Sequence, residues 1–168
     1  SRCPAQVKST TVTVLRVAAE DPRLSGGPPS AEPTTAPKSA IVTGATGQLG
    51  RLVIDALLAR VPAGEITAAV RNPEKAEDIA SNGVRVVTAD YNAPETLVPA
   101  FAGTDRLLVI SGNEFGQRVE QYERIIGAAK QAGVKFIAYT SIINADGNPM
   151  YLGADHKVAE RLISESGI

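Results

Sequence analysis

The rhythm of apolar and polar positions changes at residue 39. Beyond it, short apolar runs alternate with segments whose apolar residues recur every three or four positions. The runs at 40–43 (A-I-V-T), 65–70 (E-I-T-A-A-V), 84–89 (V-R-V-V-T-A), 106–110 (R-L-L-V-I) and 134–140 (V-K-F-I-A-Y-T) predict five strands. Leu49, Leu52, Val53, Ala56 and Leu57 keep helical spacing after the first strand, and Val119, Tyr122, Ile125, Ile126 and Ala129 do so before the fifth. Pro73 suits the first position of a helix, while Gly83 and Gly133 suit helix stops. A short helix is expected near 94–101, a loop at 144–149 (N-A-D-G-N-P) and a last helix over 151–166. Five strand–helix units in a row predict an α/β fold: a doubly wound parallel sheet with helices on both faces, three layers in all. The chain stops where a sixth strand would begin. We therefore expect truncation there, an exposed sheet edge and an incomplete acceptor site.

Residues 1–38 hold six of the eleven prolines and none of the seven aromatics, and 25–37 reads S-G-G-P-P-S-A-E-P-T-T-A-P. Proline removes backbone donors and favours solvated chain, so 1–38 is expected to be a disordered tail and 39–168 the folded domain. Arg16 interrupts the apolar stretch at 11–19, which argues against a secretory signal with its apolar core of about 7–15 residues. Glu20, Asp21 and Glu32 oppose a transit peptide only mildly. The single methionine is Met150, so position 1 reads as the start of a processed chain or of a fragment.

Composition narrows the function classes. A length of 168 residues suits one domain of about 100–200, and 43% hydrophobic residues can build its core. The net charge of -1 excludes nucleic-acid binding by bulk charge. Five of the 17 basic and three of the 18 acidic residues lie in 1–38, which leaves 12 and 15 in a mildly acidic folded part. The one cysteine, Cys3, excludes an internal disulfide and lies in the tail with no base near it. No Cys/His cluster has zinc spacing, and no run of about 18 apolar residues is present to span a membrane.

In a doubly wound sheet, ligands bind at the carboxyl ends of the strands where strand order reverses. After the first strand comes G-A-T-G-Q-L-G at 44–50. Gly44 allows a tight turn, Gly47 lets backbone approach a pyrophosphate, and Gly50 lets the helix pack closely. The amides of Thr46, Gly47, Gln48 and Leu49 would face phosphate oxygens, assisted by the positive helix end. After the second strand, V-R-N-P lacks the acid that an NAD-preferring site places about 20 residues beyond the glycines. Arg71 can instead pair with a 2′-phosphate, and Lys75 can add a second charge, which favours NADP. The alternative for Arg71 is a solvated surface arginine. Asp90 and Tyr91, after the third strand, suit the adenine amino group and ring, although Asp90 serves equally well as a turn or capping residue. Ser111 and Gly112 after the fourth strand, and Thr140 and Ser141 after the fifth, leave room for the nicotinamide ribose. They are also common loop residues.

The segments G-A-T-G-Q-L-G, A-A-V-R-N-P-E-K-A, V-T-A-D-Y, L-L-V-I-S and G-V-K-F-I-A-Y-T-S resemble an atypical short-chain dehydrogenase/reductase of the NmrA-like group, in its bacterial quinone-reductase branch. The resemblance covers 39–168 and implies a Rossmann domain that binds NADPH, hydride delivery to a quinone, a cytoplasmic protein and a homodimer. A redox-sensing regulator of the same group, binding NAD(P) without turnover, is the alternative. The Y-x-x-x-K pair of typical short-chain enzymes is absent: Lys157 follows Tyr151 by six, and Ile126 stands four after Tyr122. That disfavours epimerase or alcohol dehydrogenase chemistry, which needs an acid–base group. Quinone reduction needs one less. His156, the only histidine, matches a histidine of that branch, yet packing or hydrogen bonding is the leading expectation for it, with Glu160 one turn on. No residue is assigned as catalytic. The 168-residue chain is expected to bind nucleotide weakly and turn over poorly.

Overall fold

The computed structural model describes residues 13–16, 39–112, 114, 116–143 and 151–168. Cys3, the proline-rich run at 25–37 and the loop expected at 144–149 lie outside the described residues. In chain order the strands are β1 (Thr13–Arg16), β2 (Ala40–Thr43), β3 (Ile66–Val70), β4 (Arg85–Thr88), β5 (Arg106–Val109) and β6 (Phe136–Ser141). The helices are α1 (Gln48–Leu58), α2 (Glu77–Ser81), α3 (Leu97–Phe101), α4 (Arg118–Ala132) and α5 (Tyr151–Glu165). The strands form one sheet in the order β1-β6-β5-β2-β3-β4, in which β2 to β6 pair in parallel. The five expected strands and the doubly wound order are therefore present.

Alternate residues of β2, β3 and β5 feed two cores, which is why these strands read as continuous apolar runs. Ile41, Ala69, Leu107, Val109 and Ile137 pack with Phe101, Ile125, Ala129 and Ile163 from α3, α4 and α5. Val42, Ala68 and Val70 pack with Ile54 and Ile79 from α1 and α2. One face thus carries α1 and α2 and the other carries α3, α4 and α5, giving three layers. Gly133 ends α4 at φ +76, as its position suggested. Pro73 opens a short 3-10 turn, Pro73–Ala76, rather than α2 itself. Asn72 caps that turn by accepting from the Glu74 amide at 3.0 Å, which tightens the chain before α2 begins.

One expectation is corrected. Thr13–Arg16 lies in the segment read as a disordered tail, yet it is a strand antiparallel to β6, in register from Thr13↔Ser141 to Arg16↔Ala138. It also occupies the edge of β6, where an exposed edge was expected. The physical reason is local: T-V-L-R is rich in strand-favouring residues, and a bare edge of unpaired amides and carbonyls is a template for such a segment. Proline density elsewhere in 1–38 masked that signal.

Candidate functional site

Strand order reverses between β2 and β5: from β2 the chain moves outward through β3 and β4, then returns to β5 and β6 on the other side. A cleft of about 1190 Å³ opens at the carboxyl ends of these strands. Its floor is the glycine loop. Gly44 adopts φ +61, a left-handed conformation that side chains disfavour, and its carbonyl accepts from the Gly47 amide at 3.0 Å. A Cβ on Gly50 would lie 2.3 Å from the Gly44 carbonyl oxygen and 2.6 Å from Ala45 Cα. The first turn of α1 therefore rests on the loop only because position 50 has no side chain. Gly47 is the N-cap of α1 and no side chain caps the helix. The amides of Gln48, Leu49 and Gly50 belong to the first turn, where the helix offers no partner. They can take an anion, favoured by the positive end of the helix. The Gly47 amide, expected among the phosphate donors, is instead spent on the turn.

The tip of β3 supplies the charges. Arg71 and Lys75 both line the cleft, together with Asn72. Arg71 is exposed, and its Nη1 donates to Glu114 Oε1 at 2.8 Å. Arg51, one turn into α1, donates from Nε to the Thr46 carbonyl at 3.3 Å and from Nη2 to the Lys75 carbonyl at 3.0 Å, and it pairs with Asp78. It ties the glycine loop to the segment carrying Lys75. Sequence reasoning missed Arg51, Asn72, Glu114 and Gln121 as lining residues. For Glu114 a signal existed: it stands just beyond Ser111 and Gly112 at the carboxyl end of β5, and the reading stopped short of it.

Asp90 and Tyr91 line the cleft from the end of β4. Asp90 Oδ1 accepts from the Asn92 amide at 2.9 Å, so the turn role weighed for this residue is present. The Tyr91 hydroxyl donates to the Ile110 carbonyl at 3.3 Å, bridging the tips of β4 and β5, and burial raises its pKa. Ser111 and Gly112 line the cleft, but Thr140 and Ser141 do not. Both are buried. Thr140 Oγ1 accepts from the Ser111 amide at 2.9 Å, which makes it a support for the residue in front of it. The Ser141 hydroxyl donates to Glu160 and ties β6 to α5.

His156 is 4% exposed and does not line the cleft. Its Nδ1 lies 2.6 Å from the Tyr139 hydroxyl, which donates to the Tyr122 hydroxyl at 2.9 Å. Because a hydroxyl carries one proton, the donation to Tyr122 leaves Nδ1 as the donor to Tyr139. Burial, then the Arg118 charge, lower the histidine pKa, and burial raises those of both tyrosines. This is the packing and hydrogen-bonding role expected for the histidine.

A family model described as NAD(P)H-binding matches residues 44–168. The chain is 50% identical over 127 residues to quinone oxidoreductase 2 of Escherichia coli (strain K12), a match covering 76% of this chain and 44% of that protein. It is 32% identical over 136 residues to the NmrA-like family domain-containing oxidoreductase flvB of Aspergillus flavus, with the same shares. Among solved structures, the NADPH-dependent quinone oxidoreductase of Escherichia coli complexed with NADPH superposes with a TM-score of 0.75 at 49% identity, over 77% of this chain and 46% of that one. The chain spans less than half the length of these relatives. A glycine loop under an uncapped helix, at the reversal point of a doubly wound sheet, together with a match over most of its length, makes this chain a member of the NAD(P)H-binding family.

Proposed function

We propose that residues 39–168 bind NADPH across the cleft and form the nucleotide-holding part of a reductase that passes hydride to a quinone. The observation that carries this reading is the uncapped start of α1 above the glycine loop, with Arg71 at the next strand tip and no carboxylate beside it on that strand. The residues fit the group: the gap at Gly50 admits no Cβ, and the first-turn amides point no bond back into the helix. In this reading the amides of Gln48 and Leu49, with Thr46 beside them, hold the pyrophosphate. Arg71 and Lys75 address the 2′-phosphate, which a planar guanidinium can grip in two places. Asp90 and Tyr91 flank the adenine, Ser111 and Gly112 border the nicotinamide ribose, and Thr140 positions Ser111.

Bound NADPH supplies the hydride. The protein supplies orientation, which is most of what this reaction asks, because a quinone accepts hydride readily and its hydroquinone anion can take a proton from solvent. The cleft accordingly needs no acid–base pair, and Tyr122, one of the two tyrosines weighed for that role, is buried against Tyr139. The names of the relatives support the quinone. A cytoplasmic setting and a homodimer belong to the same reading. Among the described residues, no helix is long and apolar enough to cross a membrane.

The test is NADPH consumption with a small benzoquinone, measured on a chain extended to the length of these relatives. Quinone-dependent loss of the dihydronicotinamide absorbance is expected. Binding without consumption overturns the enzyme and favours the regulator; absence of binding overturns both.

A further inference from the structure

Glu114 stands beyond β5, across the cleft from Arg71, and its carboxylate gathers donors from three places in the fold. Arg71 Nη1 donates to Oε1 at 2.8 Å, while Asn92 Nδ2 and Gln121 Nε2 donate to Oε2 at 2.9 and 2.8 Å. Gln121 Nε2 also donates to Asn92 Oδ1 at 3.0 Å, closing the cluster. These donors follow β3, follow β4 and project from α4, so the cluster links both banks of the crevice. Hydrogen bonds from Asn92 and Gln121, then the Arg71 charge, lower the Glu114 pKa, and the group is an anion at neutral pH. Hydride delivery gives this carboxylate nothing to do.

Its position has a consequence for recognition. The guanidinium that Glu114 engages is the one assigned to the 2′-phosphate, and a phosphate monoester carries about -1.5 to -2 charges at pH 7. A carboxylate and such a phosphate on one cation repel each other, and a two-point phosphate grip that uses Nη1 must share that nitrogen with Glu114. Glu114 keeps two other partners, Asn92 and Gln121, so it can release Arg71 without being left bare.

We propose that Glu114 is a specificity-determining residue that competes with the 2′-phosphate for Arg71, and so sets how strongly the phosphorylated dinucleotide is preferred. This rests on the NADPH reading. The carboxylate holds Arg71 across the cleft mouth, and only a ligand with its own anion at that point recovers the cost of separating the pair. NADH, without that phosphate, gains nothing from Arg71.

Calorimetric titration of the full chain with adenosine 2′,5′-bisphosphate, adenosine 5′-monophosphate, NADPH and NADH tests this. Glu114→Gln is expected to tighten the two 2′-phosphorylated ligands about three- to tenfold and to move the other two by less than about twofold. Glu114→Ala should act in the same direction, which guards against a misplaced amide in the first variant. Most of the gain should vanish when Arg71→Ala is present as well. Weaker binding of the phosphorylated ligands, or an equal change in all four, would make Glu114 a brace and overturn the proposal. Failure of the NADPH reading would show separately, in an unsubstituted chain that does not distinguish the bisphosphate from the monophosphate.

Discussion

At the scale of single residues, the proposed NADPH reading puts the choice between pyridine nucleotides on Arg71. Truncation to alanine removes a charge-assisted contact of about 1.5–3 kcal/mol, and the exposure of this side chain places the loss toward the lower end, about tenfold in NADPH affinity. NADH affinity should scarcely change, since the ribose hydroxyls have no carboxylate on that strand tip to lose. Parallel fluorescence titrations of both nucleotides check this, and equal weakening of the two would remove Arg71 from the discrimination. The glycine turn and the place of Arg71 at the next strand tip were legible in the sequence because both are set locally. The place of Glu114 beyond β5 was legible too, but its role was not, because that comes from Arg71, 43 residues away, and from Asn92 and Gln121. Gly47 was half legible, since spacing revealed the turn but not that its amide is used inside it.

At the scale of elements, α5 is fastened to β6 by polar groups inside an apolar layer. Tyr139 joins Tyr122 on α4 to His156 on α5, and Ser141 joins Glu160. Arg118 and Asp155 flank the histidine, with Nη1 and Oδ2 4.0 Å apart. The alternation of strands and helices exposed these elements in the sequence; the cross-links were hidden because tyrosine and histidine are as common on surfaces as inside. A buried neutral histidine has a pH signature. Its folded pKa lies below the ordinary histidine value of 6.5, so the unfolded chain binds more protons between the two values. Stability contributed by His156 is complete above 6.5 and is lost as pH falls through that window, by up to about 1.4 kcal/mol per pH unit. Urea denaturation at pH 5 and pH 7.5 should show this loss. In His156→Gln the curve should be lower at pH 7.5 and flatter between the two pH values. An unchanged slope would place the acid sensitivity elsewhere.

For the whole molecule, the question is how far the cleft depends on the segment before residue 39. Every residue lining the cleft lies between Gly44 and Gln121, on β2 to β5 and the connections that follow them. β1 contributes four residues, paired to β6 on the side away from β2. The strand order thus separates two jobs, nucleotide holding in the middle of the sheet and edge protection at its end. A chain beginning at Ser39 should hold NADPH within about twofold of the full chain, because distant groups with no shared partners act independently. It should also expose the main-chain groups of β6 and self-associate more strongly, as uncovered edges do. Titration and light scattering on the two chains separate these effects. A large fall in affinity would tie β1 to the cleft through β6, where Val14 pairs with Thr140, the residue that supports Ser111 at the cleft wall.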